Sequence, residues 1–208
     1  FGSRLSAFVR PSHIYGNSGA DTVLYGGGGL WQSFGYIFGR IEQGQLPGTF
    51  FTSNKMKSYI GSVNDERGHN FARSIAKSLC DLGWSAKPEV KMTELGAPAH
   101  LGDIDVLAWK DTGEVILIEC KRLQQAMTIA EIAEICRRFS GEAKDELDKH
   151  VQRLNWVKQN HQSLQTILRF APSESRIEPR LVTSTHVPMT YLESLPISKE
   201  YIGTLTQI

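Results

Sequence analysis

Two apolar segments, each carrying acid at a fixed place, constrain this chain more than anything else in it. The first is Gly102-Asp103-Ile104-Asp105-Val106-Leu107-Ala108-Trp109. The second runs from Val115 through Ile118 into Glu119-Cys120-Lys121. Both have strand length, and Lys110-Asp111-Thr112-Gly113 between them reads as a hairpin turn. Side chains alternate across a strand, so Glu119 and Lys121 share one face. Cys120 points the other way with Ile116 and Ile118, into a core. Asp105 lies on the partner strand. The pattern predicts two carboxylates and one ammonium converging at one end of a small sheet.

Acid on an otherwise apolar strand is costly to bury without a counter-charge, and two close carboxylates repel. A divalent cation relieves both. Asp and Glu oxygens suit Mg²⁺, with Mn²⁺ as a substitute, and the backbone carbonyl of Cys120 offers a further oxygen. Lys121 then stands beside an activated water, ready to orient or deprotonate it. That is a kit for phosphodiester hydrolysis.

The order Asp105, thirteen residues, Glu119, one residue, Lys121 resembles the signature of the PD-(D/E)xK nuclease superfamily, the restriction-endonuclease-like fold. The surrounding Gly-x-Ile-Asp-Val-Leu and the apolar strand leading into Glu119 share in the resemblance, which covers roughly residues 64–190. Ile104 stands where the family name has Pro. The resemblance implies a Mg²⁺-dependent nuclease, acting on DNA more readily than RNA, in restriction, repair or phage defence. Asp105, Glu119 and Lys121 take the catalytic positions, with Asp105, Glu119 and the Cys120 carbonyl on the metal. The family often has a Glu on the first helix. Glu66 is the candidate here, with Asn70 one turn later as the alternative, and an N-terminal-turn Glu favoured by the helix dipole as the plain reading. Asp103 is a candidate extra ligand. A second reading keeps the fold without the reaction: a catalytically silent nucleic-acid-binding or scaffold domain of a larger assembly.

Basic residues follow the site. Residues 121–169 hold nine Lys and Arg against six Asp and Glu, and no acid falls between 149 and 173. Basic side chains on the flanking helices, Arg138 and His150 among them, suit phosphates or simply form a solvated face; Arg122, Gln124, Lys149 and Arg153 are the expected nucleic-acid contacts. A single site cuts one strand, so duplex cleavage calls for a homodimer, partner subunits or repeated action.

The first third has a different character. Residues 1–64 contain 12 of the 19 glycines and 11 of the 19 aromatics, but only two acids, Asp21 and Glu42. Gly and aromatic residues alternate there, which predicts short strands and turns in an accessory segment over 1–63. Gly26 to Gly29 reads as a flexible turn, with no P-loop lysine after it. The aromatics of 31–38 are expected to pack that lobe, with base stacking as the other use. From residue 64 the pattern predicts an α/β domain, 64–208, with a central mixed sheet flanked by helices. Its first helix starts near Asn64 and buries Phe71, Ile75 and Leu79. A strand follows over 84–92. A capping box at Thr128 and Glu131 opens a helix with Ile129, Ile132, Ala133 and Cys136 on one face, and a second helix carries Leu147, Val151 and Leu154. Pro172 and Pro179 bound a loop before a strand over 180–187.

A net charge of +1 and 22% charged residues exclude a histone-like or disordered binder but not a local basic surface. No apolar run approaches a membrane span. Cys80, Cys120 and Cys136 have no zinc-type spacing. They read as core residues of a cytoplasmic protein. The chain begins without Met, as a fragment or a processed product does.

Overall fold

The computed structural model describes residues 12–15, 22–42, 46, 50–123, 129–141 and 145–207. Packing divides the chain into two units, 1–66 and 67–208. The first contains a two-stranded antiparallel sheet, β1 (Ser12–Tyr15) and β2 (Thr22–Tyr25), and helix α1 (Gly27–Glu42). The short strands agree with the sequence. The run 31–38 does not: it is helical, and α1 begins inside the four-glycine stretch. Trp31, Phe34 and Phe38 are spaced for one side of a helix rather than for a strand. The rings of Phe34 and Phe38 stack at 6.3 Å, and all three are exposed rather than packed.

Helix α2 spans Asn54–Asp81, so it starts ten residues before the expected cap at Asn64. Met56, Ile60 and Val63 already carry the helical spacing, and Gly61 and Gly68 are too few to break it. Glu66 is therefore mid-helix and not in a first turn. It is exposed and belongs to the first unit.

The second unit is built on a five-stranded mixed sheet: β3 (Ser85–Lys91), β4 (Asp103–Trp109), β5 (Val115–Lys121), β6 (Ile177–Thr183) and β7 (Ile202–Gly203), in that spatial order. β3, β4 and β5 form an antiparallel meander, and β6 and β7 add in parallel. Gly113, with φ 95°, closes the β4–β5 turn, and Lys110 and Glu114 pair across it. One sheet face packs Val106, Ala108, Ile116, Ile118 and Cys120 against Ala72, Ile75, Ala76 and Leu79 of α2. The other packs Leu107, Val115 and Leu117 against Leu154 and Val157 of α4 (Glu146–Gln159). Helices thus cover both faces, an arrangement compatible with a restriction-endonuclease-like core. A short helix α5 (Gln165–Leu168) follows α4 after a turn of 3₁₀ helix.

Helix α3 (Ile129–Arg138) buries a different stripe from the one expected. Ile135 and, just past its end, Phe139 enter a third cluster with Leu147, Leu181 and Met189. Ile129 and Ile132 are exposed, because the helix turns the Ile135–Phe139 side to the core. Thr128 lies outside the described residues, as does the side chain of Glu131. Pro179 does not bound a loop; it lies within β6, opposite Leu117. β7 pairs with Leu181 and Val182, so among the described residues no second strand needs the missing N–H of Pro179. The strand accordingly runs 177–183 and not 180–187. Cys120 is buried as expected, whereas Cys80 is exposed on α2, off the Ile75–Leu79 stripe; all three cysteines are free thiols.

Candidate active site

β5 alternates strictly. Val115 and Leu117 face α4, and Ile116, Ile118 and Cys120 face α2. Glu119 and Lys121 therefore face α4, and their contacts are with that helix. β4 does not alternate throughout. Ile104 and Leu107 share the α4 face, while Val106 and Ala108 take the other. The alternation breaks at Asp105, where pairing with β5 also stops: the last bridge is Val106 with Ile118. On the far side, Glu89 is the one β3 residue between Pro88 and Val90 outside the ladder, and its φ is 56°. A local irregularity of this kind re-aims a side chain. Here it sends the Asp105 carboxylate into the gap left beside β5, where Oδ2 accepts a 2.6 Å hydrogen bond from the Cys120 amide. N–H and C=O of one strand residue lie on the same edge, so the Cys120 carbonyl borders that gap too.

Burial raises the pKa of Asp105 to about 6, and the neighbouring Glu119 carboxylate adds to the rise; the Cys120 amide and Lys121 oppose it. The two acids are thus close enough to repel. Glu119 is buried and ion-paired on both oxygens, with Lys121 Nζ 2.9 Å from Oε1 and Arg153 NH1 2.5 Å from Oε2. Arg153 also donates through Nε to the Leu101 carbonyl at 2.8 Å. Lys121 has a second partner, Glu146 Oε2 at 3.0 Å, and Arg138 donates two bonds to Glu146 Oε1. Burial disfavours the Lys121 ammonium, but Glu119 and Glu146 outweigh it and push its pKa up. Lys121 is therefore held as an ammonium between the two carboxylates. His150 of α4 lies in the same layer, 99% inaccessible, with Nδ1 3.8 Å from Glu119 Oε2 and, among the described residues, no hydrogen-bond partner for Nε2. Burial lowers its pKa to about 4, so it is neutral.

The sequence-derived residues fall into distinct places. Asp105, Glu119, Lys121 and the Cys120 backbone come together at the β5 end. Asp103 is exposed at the start of β4, near enough to add to the rise at Asp105. Arg122 is exposed just past β5, with burial and the nearby Arg67 lowering its pKa. Lys149 is exposed on α4. Arg153 is not presented as an open phosphate contact: its guanidinium is held inside by Glu119 and Leu101. Gln124 lies outside the described residues. Glu146 is not among the residues expected at the site, and Arg138 and His150 are expected only as basic side chains on the flanking helices. Their signal was present, since 146, 150 and 153 share one helical side of α4, but nothing in the sequence tied that side to β5.

All oxygens offered at the gap are hard donors, and a cation there would relieve the Asp105–Glu119 repulsion, so the set fits Mg²⁺ or Mn²⁺ chemically. Among the described residues, no group of three or more His, Cys, Asp or Glu is arranged as a metal cage. No helix among them is long and apolar enough to cross a membrane. The architecture and this acidic pair define the class: an α/β protein with a compact charged centre at the end of its central antiparallel strands. The chain belongs to the Upx-like anti-phage protein family, whose model matches residues 1–208, and that membership points to phage defence. No curated protein and no solved structure matches it.

Proposed function

We propose that this protein is a metal-dependent nuclease that hydrolyses phosphodiester bonds of phage nucleic acid, DNA before RNA. The observation that carries the reading is the break in β4 that sends the Asp105 carboxylate to the Cys120 amide, near enough to Glu119 for the two acids to repel, with Lys121 paired to Glu119. The Cys120 amide could be satisfied by a neutral acceptor, so a buried carboxylate that repels Glu119 there is costly for folding alone. Asp105, Glu119 and the Cys120 carbonyl are the groups that would hold Mg²⁺. When bound, the ion would supply charge neutralisation at the phosphate and acidify a water. Lys121, protonated, orients the nucleophile or stabilises charge on a phosphate oxygen. Arg153 fixes the Glu119 carboxylate. Exposed Arg122 and Lys149 are the phosphate contacts that position the strand.

The test is cleavage of plasmid and phage DNA, and of RNA, by purified protein with Mg²⁺ or Mn²⁺. EDTA and the variants Asp105→Asn and Glu119→Gln serve as controls. Nicking that needs the metal and is lost in both variants supports the reading. Both Glu119 oxygens are already taken by Lys121 and Arg153, which favours a second reading, a silent nucleic-acid-binding domain of the same fold. Gel-shift binding by a wild type that never cuts would establish that one instead.

A further inference from the structure

We infer that Glu146 is the positioning residue for Lys121, holding its ammonium at the site when Glu119 turns to a divalent cation. The inference rests on the nuclease reading and adds a residue to it. Lys121 has two carboxylate partners at nearly equal distance, Glu119 at 2.9 Å and Glu146 at 3.0 Å. Only the first is a candidate ligand. A cation on Glu119 would both withdraw a counter-charge from Lys121 and repel it. With one partner, the long side chain would swing toward solvent; with two, it keeps an anchor.

Glu146 is itself fixed. Arg138 grips Oε1 through Nε at 3.0 Å and NH2 at 2.6 Å, leaving Oε2 for Lys121. It is the first residue of α4, directly after the cap Asp145, whose carboxylate accepts from Asp148 N at 2.7 Å and Gly141 N at 2.6 Å. That cap sets the position of the helix start. Although burial opposes ionisation, Lys121 and Arg138 lower the pKa of Glu146, so the anchor stays charged. The chain Arg138–Glu146–Lys121–Glu119 thus ties the end of α3 to the catalytic strand.

The experiment compares wild type with Glu146→Gln, which keeps shape and an acceptor for Arg138 while removing the charge. The side-chain ¹⁵Nζ resonance of Lys121, assigned by its loss in Lys121→Met, reports an ammonium held out of exchange with water. We expect wild type to keep it on adding Mg²⁺ and Glu146→Gln to lose it, with backbone spectra matched to confirm folding. In cleavage assays kcat should fall by about 10²-fold, the scale of a misplaced catalytic group, with KM for DNA unchanged. A Glu146→Gln protein that keeps the resonance with Mg²⁺, or cuts at the wild-type rate, overturns the inference. A wild type that does not cut removes the nuclease reading alone; the resonance still decides whether Glu146 anchors Lys121.

Discussion

The Asp105 carboxylate takes the place of a backbone partner for Cys120, accepting its amide at 2.6 Å where β4 has parted from β5. One contact thereby closes a defect in the sheet and fixes an acid beside Glu119. The cost is electrostatic. A pKa raised from 3.8 to about 6 means that the folded protein holds this carboxylate ionised at a disadvantage of about 3 kcal/mol at neutral pH. Asp105→Asn keeps an acceptor for the amide and removes the charge. It should raise stability by up to that amount at pH 7.5, measured by urea denaturation, and abolish cleavage. A variant that is both inactive and destabilised would show that the carboxylate is structural.

The pH dependence of stability separates Asp105 from His150. Asp105 binds its proton more tightly in the folded state, so its contribution falls as pH rises from about 4 to 6. His150 is depressed from 6.5 to about 4, so its contribution falls as pH drops through that same window. In wild type the two slopes oppose each other. Asp105→Asn should expose the His150 slope, with stability climbing between pH 4 and 6.5. His150→Gln should expose the reverse. Parallel profiles for the two variants would remove both assignments.

The hairpin, the acidic pair and Lys121 were legible because a strand has period two, and one acid on an apolar strand marks a place. Cys120 against the core followed from the same parity. The break at Asp105 was not legible, since Ile104 and Val106 are equally apolar and nothing in their order says they face opposite ways. The helical stripe of Phe71, Ile75 and Leu79 was readable, but its extension back to Asn54 was hidden by the glycine-rich composition ahead of it. In α1 the aromatics at 31, 34 and 38 fit a helix, yet interleaved glycines gave a stronger turn signal. The Lys121–Glu146 pair needs α4 placed over β5, a tertiary fact that no local pattern carries.

Lys121 should prove a rate residue. It is one charge among several basic groups near the site, so Lys121→Ala should leave gel-shift affinity within a few-fold, since nucleic-acid affinity is spread over many contacts. Loss of a placed proton-transfer or charge-stabilising group costs on the order of 10²–10⁴ in rate. Lys149→Ala on the exposed side of α4 should do the opposite, weakening binding with a shallower salt dependence and leaving kcat alone. A Lys121→Ala enzyme that nicks plasmid like wild type would take the residue out of the catalytic set.

Arg153 should prove a stability residue. Its side chain is 12% exposed and bridges Glu119 to the Leu101 carbonyl. Arg153→Leu leaves the Glu119 charge buried with Lys121 as its remaining partner, a change that typically costs about 3–5 kcal/mol. Arg153→Lys should recover only part of the loss, because one ammonium cannot reproduce two directed guanidinium bonds. Chemical denaturation of both variants checks this. A melt unchanged by Arg153→Leu would show that the pair contributes nothing net.

The last prediction reaches the site from a loop. Gly141 has φ 84°, and a Cβ placed there would come 2.5 Å from Pro196 Cγ and 2.6 Å from its Cδ. A ring that is part of the backbone cannot rotate away as a flexible side chain does. Gly141→Ala therefore combines left-handed strain with overpacking, together about 2–4 kcal/mol. The displacement does not stay local. The Gly141 amide donates to Asp145 Oδ2, the carboxylate that caps α4, and Glu146 follows it directly. Moving the loop should loosen the cap and, through Glu146, the hold on Lys121. Pro196→Ala removes the obstructing ring atoms beyond Cβ. Combined with Gly141→Ala it should restore part of the stability, leaving the strain of the left-handed backbone. Thermal melts of the two single variants and the double variant give the coupling directly. Strictly additive effects would show that the Pro196 ring is not what Gly141 makes room for.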